Sequence, residues 1–148
     1  MLEKRHKVLA ASYLVLIKDG KILMLRRFNT GYKDGNYSLP AGCVNKGETF
    51  TQCVIREAME ETGILMDHKA VKVAHVMHRY DESLLENETV DVFFTTDKWD
   101  GEATNKEPEK CDDLSWFDLE SLPENALPHV KLALENIKNK VIYSEIGW

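Results

Sequence analysis

The segment from about Thr49 to Thr62 constrains the fold more than any other part of the chain, because it must be covered on two sides at once. It reads as one helix, followed by Gly63, the residue type that most easily takes a left-handed C-cap. With Phe50 at zero and about 100° per residue, Val54 falls near 40°, Glu57 near −20°, Glu61 near 20° and Glu60 near −80°. Glu57 and Glu61 therefore share the stripe of Phe50 and Val54, while Ile55 and Met59 lie on the opposite side. A solvated acidic face would avoid the apolar stripe. Glu57 and Glu61 are also like charges four residues apart, which weakens a helix by a few tenths of a kcal/mol. Carboxylates near a helix C-terminus oppose the macrodipole as well. These penalties point to a positive group at that face, and clustered hard oxygen ligands select Mg²⁺ or Mn²⁺.

The remaining segments read mostly as strands. Val8–Ile17 and Lys21–Arg27 are apolar runs joined by Asp19-Gly20, a hairpin signal. Asn29–Asn36 is a loop, and a short strand around Tyr37–Leu39 precedes turns at Ala41-Gly42 and Asn45-Lys46-Gly47. Val71–Tyr80 and Thr89–Thr96 form a strand pair across the polar loop Asp81–Glu88. Asp100–Asp113 reads as a long loop, Leu114–Phe117 as a short strand and Leu127–Lys138 as a last helix. A mixed sheet packed between helices accommodates this order.

With 148 residues the chain suits one domain, 1–148, with one core, and its apolar and charged fractions are those of a soluble globular protein. The net charge of −6 and the lack of a basic stretch argue against a stable nucleic-acid complex. Lys4, Arg5 and Lys7 before Val8–Ile17 imitate a secretion signal, but the run is too short to span a bilayer, and Lys18-Asp19-Gly20-Lys21 replaces a cleavage site. It is read as a buried strand, with no membrane partner. Cys43, Cys53 and Cys111 are odd in number and form no C-x-x-C, so free thiols in a reducing cytoplasm are expected, with Cys43 and Cys53 in or near the core. Phe93, Phe94 and Trp116 are expected in the core, and His75 and His78 as packed or surface residues rather than ligands.

The stretch from Gly42 through Glu48, Arg56, Glu57, Glu60, Glu61 and Gly63 to Ile64 resembles the Nudix box, G-x₅-E-x₇-R-E-U-x-E-E-x-G-U, where U is bulky or aliphatic. Every fixed position is met, and the small Ala58 at the first U is the one soft spot. Leu39-Pro40-Ala41-Gly42 is similar to the family's approach to the box, and Trp116-Phe117-x-Leu119 with Leu122-Pro123 is similar to the closing strand of MutT-like members. The resemblance implies an α/β/α sandwich around a mixed β-sheet. It also implies Mg²⁺-dependent attack by water on a pyrophosphate link, with Mn²⁺ as a substitute metal.

The resemblance also distributes roles. Glu57, Glu60 and Glu61, with the carbonyl of Ala41, would hold the metal. Gly42 would let the chain turn tightly beside it and count among the substrate-binding residues, and Arg56 would pair with Glu48 and orient Glu57. Glu57 is the first candidate for general base, with Glu82, Glu86 and Glu88 as alternatives. Glu107 in the 99–107 loop resembles a supplementary metal ligand. Arg27 and Asn125 resemble residues that contact substrate in MutT-like enzymes. A (d)NTP, an oxidised one included, cleaved to (d)NMP and pyrophosphate is the first expectation. A nucleotide sugar, ADP-ribose or a dinucleotide is the second. A non-catalytic sensor is the third, and it is disfavoured because all the box glutamates are kept. The sequence leaves the oligomeric state open.

Overall fold

The computed structural model describes residues 4–148; Met1–Glu3 of the expected domain lie outside it. The strands fall into two sheets. In the first, β5 (Ala41–Cys43), β1 (Leu9–Val15), β7 (Glu88–Thr95), β6 (Lys72–Tyr80) and β9 (Tyr143–Ile146) lie side by side in that order. The sheet is mixed: β1 runs parallel to β7 and β6 parallel to β9, whereas β5 on β1 and β6 on β7 are antiparallel. The second sheet joins β2 (Ile17–Lys18), β3 (Lys21–Arg27) and β4 (Tyr37–Ser38), with β8 (Cys111–Asp118) along the other side of β3.

Alternation along β1 packs the five-stranded sheet on both faces. Tyr13 and Val15 join Met77, Phe93 and the helix residues Val130, Ala133 and Leu134 of α2 (Pro128–Lys138) in one core cluster. Leu14 and Leu16 join Val92, Phe94, Val54 and Ala58 in the other, under α1 (Phe50–Thr62). The two helices thus cover opposite faces, which gives the α/β/α sandwich. α1 starts with a capping box in which Thr49 and Gln52 satisfy each other's backbone N–H, and it ends at Gly63 with φ 75°. The hairpin at Asp19 (φ 52°) and Gly20 (φ 75°) has the two left-handed residues of a type I′ turn.

Four expectations are corrected. Val8–Ile17 is not one strand: it breaks at Leu16, where the chain leaves β1 in one sheet and enters β2 in the other. Ala41-Gly42 is not a turn but part of the edge strand β5, fixed by its pairing with Tyr13 and Ser12. β8 begins at Cys111 rather than Leu114, because it follows β3 along its length until a register shift at Arg26/Arg27. Cys43 is exposed on β5, while Cys53 is buried; all three cysteines are free. β9 gave no periodic signal. It is held by His75, whose Nδ1 lies 2.8 Å from the Val141 carbonyl and whose Nε2 lies 2.7 Å from Ser144 Oγ. Phe93 and Phe94 are buried and Trp116 is half-buried against the core, as expected. Among the described residues no helix is long and apolar enough to cross a membrane.

His129 of α2 is buried against Tyr13, with Nε2 3.1 Å from the hydroxyl. Burial, reinforced by the Arg79 charge, lowers its pKa from 6.5 to about 3. The unfolded chain therefore takes up this proton first. The stabilising contribution is fully present above pH 6.5 and is lost as pH falls toward about 3. Its slope approaches about 1.4 kcal/mol per pH unit. His129→Gln removes the titration and keeps a polar partner for Tyr13. Urea unfolding from pH 7 to pH 4 is expected to show a shallower loss of stability in the variant than in wild type; parallel curves would mean that His129 is not held neutral.

Candidate active site

α1 presents Arg56, Glu57, Glu60 and Glu61 toward the edge strand β5, and Arg56 organises that face. Its Nε donates to Glu48 Oε2 at 2.7 Å and its Nη2 to Glu48 Oε1 at 3.0 Å, a bidentate pair. Its Nη1 donates to Glu57 Oε1 at 2.7 Å and to Glu60 Oε2 at 3.3 Å, and its Nη2 also reaches the Cys43 carbonyl at 3.3 Å. The guanidinium hydrogen bonds hold the Glu48 carboxyl down at about 2, with the Asn45 N–H helping. The glutamates likewise push the Arg56 guanidinium above its usual value.

Glu57 lies across Gly42. A Cβ at that position would collide with the Glu57 carboxylate, so this position of the Glu57 side chain depends on the glycine through close approach rather than backbone dihedral. Glu61 is packed behind it, with the Ala41 N–H donating to its Oε2 at 3.3 Å. Burial raises the Glu61 carboxyl well above the usual carboxylate range, and hydrogen bonding to Glu57 and the charge of that residue push it further. Glu107 arrives from the loop after β7. The Lys106 N–H donates to the Glu61 carbonyl at 3.1 Å and the Thr104 N–H to the Thr62 carbonyl at 2.9 Å. The open end of α1 thereby fastens the loop that carries Glu107. Burial raises the Glu107 carboxyl, against the lowering charge of Lys110, and Glu57 and Glu60 add to the rise.

These groups form part of the lining of a cleft of about 480 Å³. The metal-ligand candidates Glu57, Glu60, Glu61, Ala41 and Glu107 all face it, as do Gly42 and Arg27. The donors of this set are all oxygens, which suits a hard divalent cation. Among the described residues no three acidic, histidine or cysteine side chains converge on one point; Arg56 instead draws Glu57 and Glu60 to itself.

The other sequence candidates are distributed differently. Arg27 is engaged with its own loop, donating from Nε to the Tyr32 carbonyl at 2.6 Å and from Nη2 to Thr30 Oγ1 at 3.0 Å. Asn125 does not line the cleft; its amide donates to the Gly35 carbonyl at 2.7 Å. Glu82 and Glu86 are exposed, outside the lining, and Glu88 begins β7 with its carboxylate bound to His78 and His6. Sequence reasoning missed Tyr13, Tyr32, Arg79 and Lys110, which line the same cleft. A signal existed for Arg79. It falls in step with His75 and Met77 on β6, and Asp91 sits in the apolar run of β7, so two opposite charges are placed on paired strands.

The fold is an α/β/α sandwich with an acid-lined cleft beside β5, and comparison with known proteins identifies its family. The NUDIX domain family matches residues 6–138. The chain is 31% identical over 126 residues to an ADP-ribose pyrophosphatase of Methanocaldococcus jannaschii, covering 85% of this chain and 71% of that one. It is 34% identical over 120 residues to an NAD-capped RNA hydrolase NudC of Stutzerimonas stutzeri, covering 81% of this chain but only 40% of that longer protein. A crystal structure of a MutT NUDIX hydrolase from Burkholderia pseudomallei superposes with a TM-score of 0.79 at 26% identity, covering 87% of this chain and 97% of the other. The chain belongs to the Nudix family. It is a Nudix hydrolase, and enzymes of this family generally use divalent metals.

Gly42→Ala is expected to displace Glu57 while leaving the core untouched. A displacement of about 1 Å near the reacting centre costs roughly a hundredfold in rate. Turnover should fall on that scale with the melting temperature little changed, measured by calorimetry beside the hydrolysis assay. Wild-type turnover in the variant would mean that the position of Glu57 over Gly42 is irrelevant to the reaction.

Proposed function

We propose that this chain hydrolyses the phosphoanhydride of a nucleoside diphosphate joined to a second group, in a reaction that depends on Mg²⁺ or Mn²⁺. The observation that carries the reading is the pair of half-buried carboxyl groups of Glu57 and Glu61, crowded against Gly42 and the Ala41 N–H in the cleft, an oxygen-rich arrangement that a cation would complete. Glu57, Glu60, Glu61 and the Ala41 carbonyl are the proposed ligands, with Glu107 as a supplementary one. Bound Mg²⁺ supplies charge neutralisation for the diphosphate and lowers the pKa of a water. Arg56, itself locked on Glu48, orients Glu57 and Glu60. Glu57 is the group proposed to take the proton from the attacking water. Gly42 leaves the space that this carboxylate needs.

The first substrate to test is a nucleoside diphosphate sugar of the ADP-ribose kind, on the strength of the relative that is 31% identical. A (d)NTP cleaved to (d)NMP and pyrophosphate is the second reading, favoured by the likeness to the MutT NUDIX hydrolase. Asn125, the residue proposed for base contact in that second reading, lies outside the cleft lining.

A panel of ADP-ribose, nucleotide sugars, dinucleotides and (d)NTPs, with products identified by ion-exchange chromatography, tests both. ADP-ribose is expected to give AMP and ribose 5-phosphate, with no reaction in excess chelator. Glu61→Gln should abolish most of this activity and Glu107→Gln should reduce it less, with weaker activation in a Mg²⁺ titration. Full activity in chelator with metal verified absent would overturn the metal reading. NDP and orthophosphate as first products from an NTP would overturn the pyrophosphohydrolase reading.

A further inference from the structure

The sheet sets the length of the cleft. Gly42 lies on β5 and Arg79 on β6, three strand spacings apart, or roughly 14 Å across the sheet at about 4.8 Å per spacing, with Arg79 a further three residues along β6 from Val76, the position level with Gly42. Glu57 and Glu61 occupy the β5 end. At the β6 end the Arg79 side chain is only 7% exposed, and its nitrogens are taken by protein partners. Nε donates to Asp91 Oδ2 at 2.8 Å, Nη2 to the Tyr13 hydroxyl at 3.3 Å, and Nη1 to the Tyr32 hydroxyl at 2.9 Å. Asp81 Oδ2 lies 3.5 Å from the same Nη1. A cation neutralised in this way is a post within the protein rather than a free binder of phosphate.

Two wall segments of the cleft meet on that post. Tyr32 belongs to the loop between β3 and β4, and Asp81 starts the loop between β6 and β7. The Tyr32 hydroxyl donates to Asp81 Oδ2 at 2.7 Å while it accepts from Arg79. The other oxygen of Asp81 fastens its own loop, accepting from the Ser83 N–H at 3.0 Å and from Ser83 Oγ at 2.6 Å. Both segments contribute to the lining, through Thr30 and Tyr32 on one and Leu84 on the other.

We propose that the Tyr32 hydroxyl, clasped between Arg79 and Asp81, is a positioning and specificity-determining group that sets the width of the cleft at the end remote from the carboxylates, where the organic part of the nucleoside diphosphate derivative beyond the diphosphate is held. The reading rests on the proposed function for its substrate class. The clasp touches neither the box glutamates nor Arg56. It acts on the binding of the substrate's organic part equally in the ground and transition states, so its loss raises KM and leaves kcat in place.

Tyr32→Phe keeps the ring and the packing of Arg27 and Lys33 on it (5.3 and 5.8 Å from its centroid) and removes only the shared hydroxyl. KM for the best nucleotide of the panel is expected to rise roughly five- to tenfold, the scale of one buried hydrogen bond, with kcat and Mg²⁺ activation within about twofold of wild type. Asp81→Asn should act in the same direction, and the double variant should be no worse than the more damaging single one. Hydrogen exchange on the ligand-free protein gives a readout that needs no substrate: amides of 30–34 and 83–87 should exchange faster together in Tyr32→Phe, although only one loop is mutated. Unchanged KM, additive effects of the two substitutions, a fall in kcat comparable to the rise in KM, or faster exchange confined to 30–34 would each overturn the clasp. If wild type turned over no nucleotide derivative, the proposed function would fail, and the exchange experiment would still decide the clasp.

Discussion

Arg56 is the contact on which the arrangement of the site depends. Its planar guanidinium takes both oxygens of Glu48 on one side and Glu57 and Glu60 on the other. One side chain thereby ties the loop before α1 to the middle of the helix. The partners are mostly shielded, with Arg56 27% and Glu48 and Glu57 each 14% exposed, so the pairs keep strength that a solvated ion pair would lose. Removing the arginine would leave several carboxylates facing one another without compensation. The close approach of Glu57 to Gly42, and of Glu61 to the Ala41 N–H, follows from where this fork holds the helix against the edge strand.

The cleft has charge at both ends, organised in opposite senses. Beside β5, acids outnumber their cations, and burial pushes the carboxyl groups of Glu61 and Glu107 upward. Beside β6, Arg79 is enclosed by Asp91, Asp81 and two tyrosine hydroxyls. The first arrangement is electrostatically incomplete and suits a ligand that brings positive charge. The second is complete and suits a structural role. Rigid strand spacing separates the two, so the chemistry at one end and the shape at the other are set by different residues.

Much of the first end was legible in the sequence, because it is local. Glu57, Glu60 and Glu61 lie on one turn, Thr49 and Gly63 punctuate the helix, and Glu48 and Arg56 sit within the same stretch. The other end is assembled from Tyr13, Tyr32, Arg79 and Asp91, which meet only through strand register. No local pattern reports such a meeting, although the paired charges in β6 and β7 hinted at it. The same distinction explains the misread elements. The break at Leu16 leaves no mark within an apolar run, because the run passes from β1, whose later residues are buried, through buried Leu16 into the exposed Ile17 of β2 with no change in residue type. The early start of β8 is imposed by β3 on a polar segment, and β9 docks through His75 rather than through an apolar period.

The central claim is that the carboxylates on the covered face of α1 form a cation site. Titration of Mn²⁺ with the protein, following the free-ion signal by electron paramagnetic resonance, measures this without reference to any substrate. Wild type should deplete the free Mn²⁺ signal, and Glu57→Gln should weaken binding by about tenfold or more, because each carboxylate charge contributes to affinity for a hard cation. Equal Mn²⁺ affinity in wild type and Glu57→Gln, or no depletion by wild type, would contradict the account.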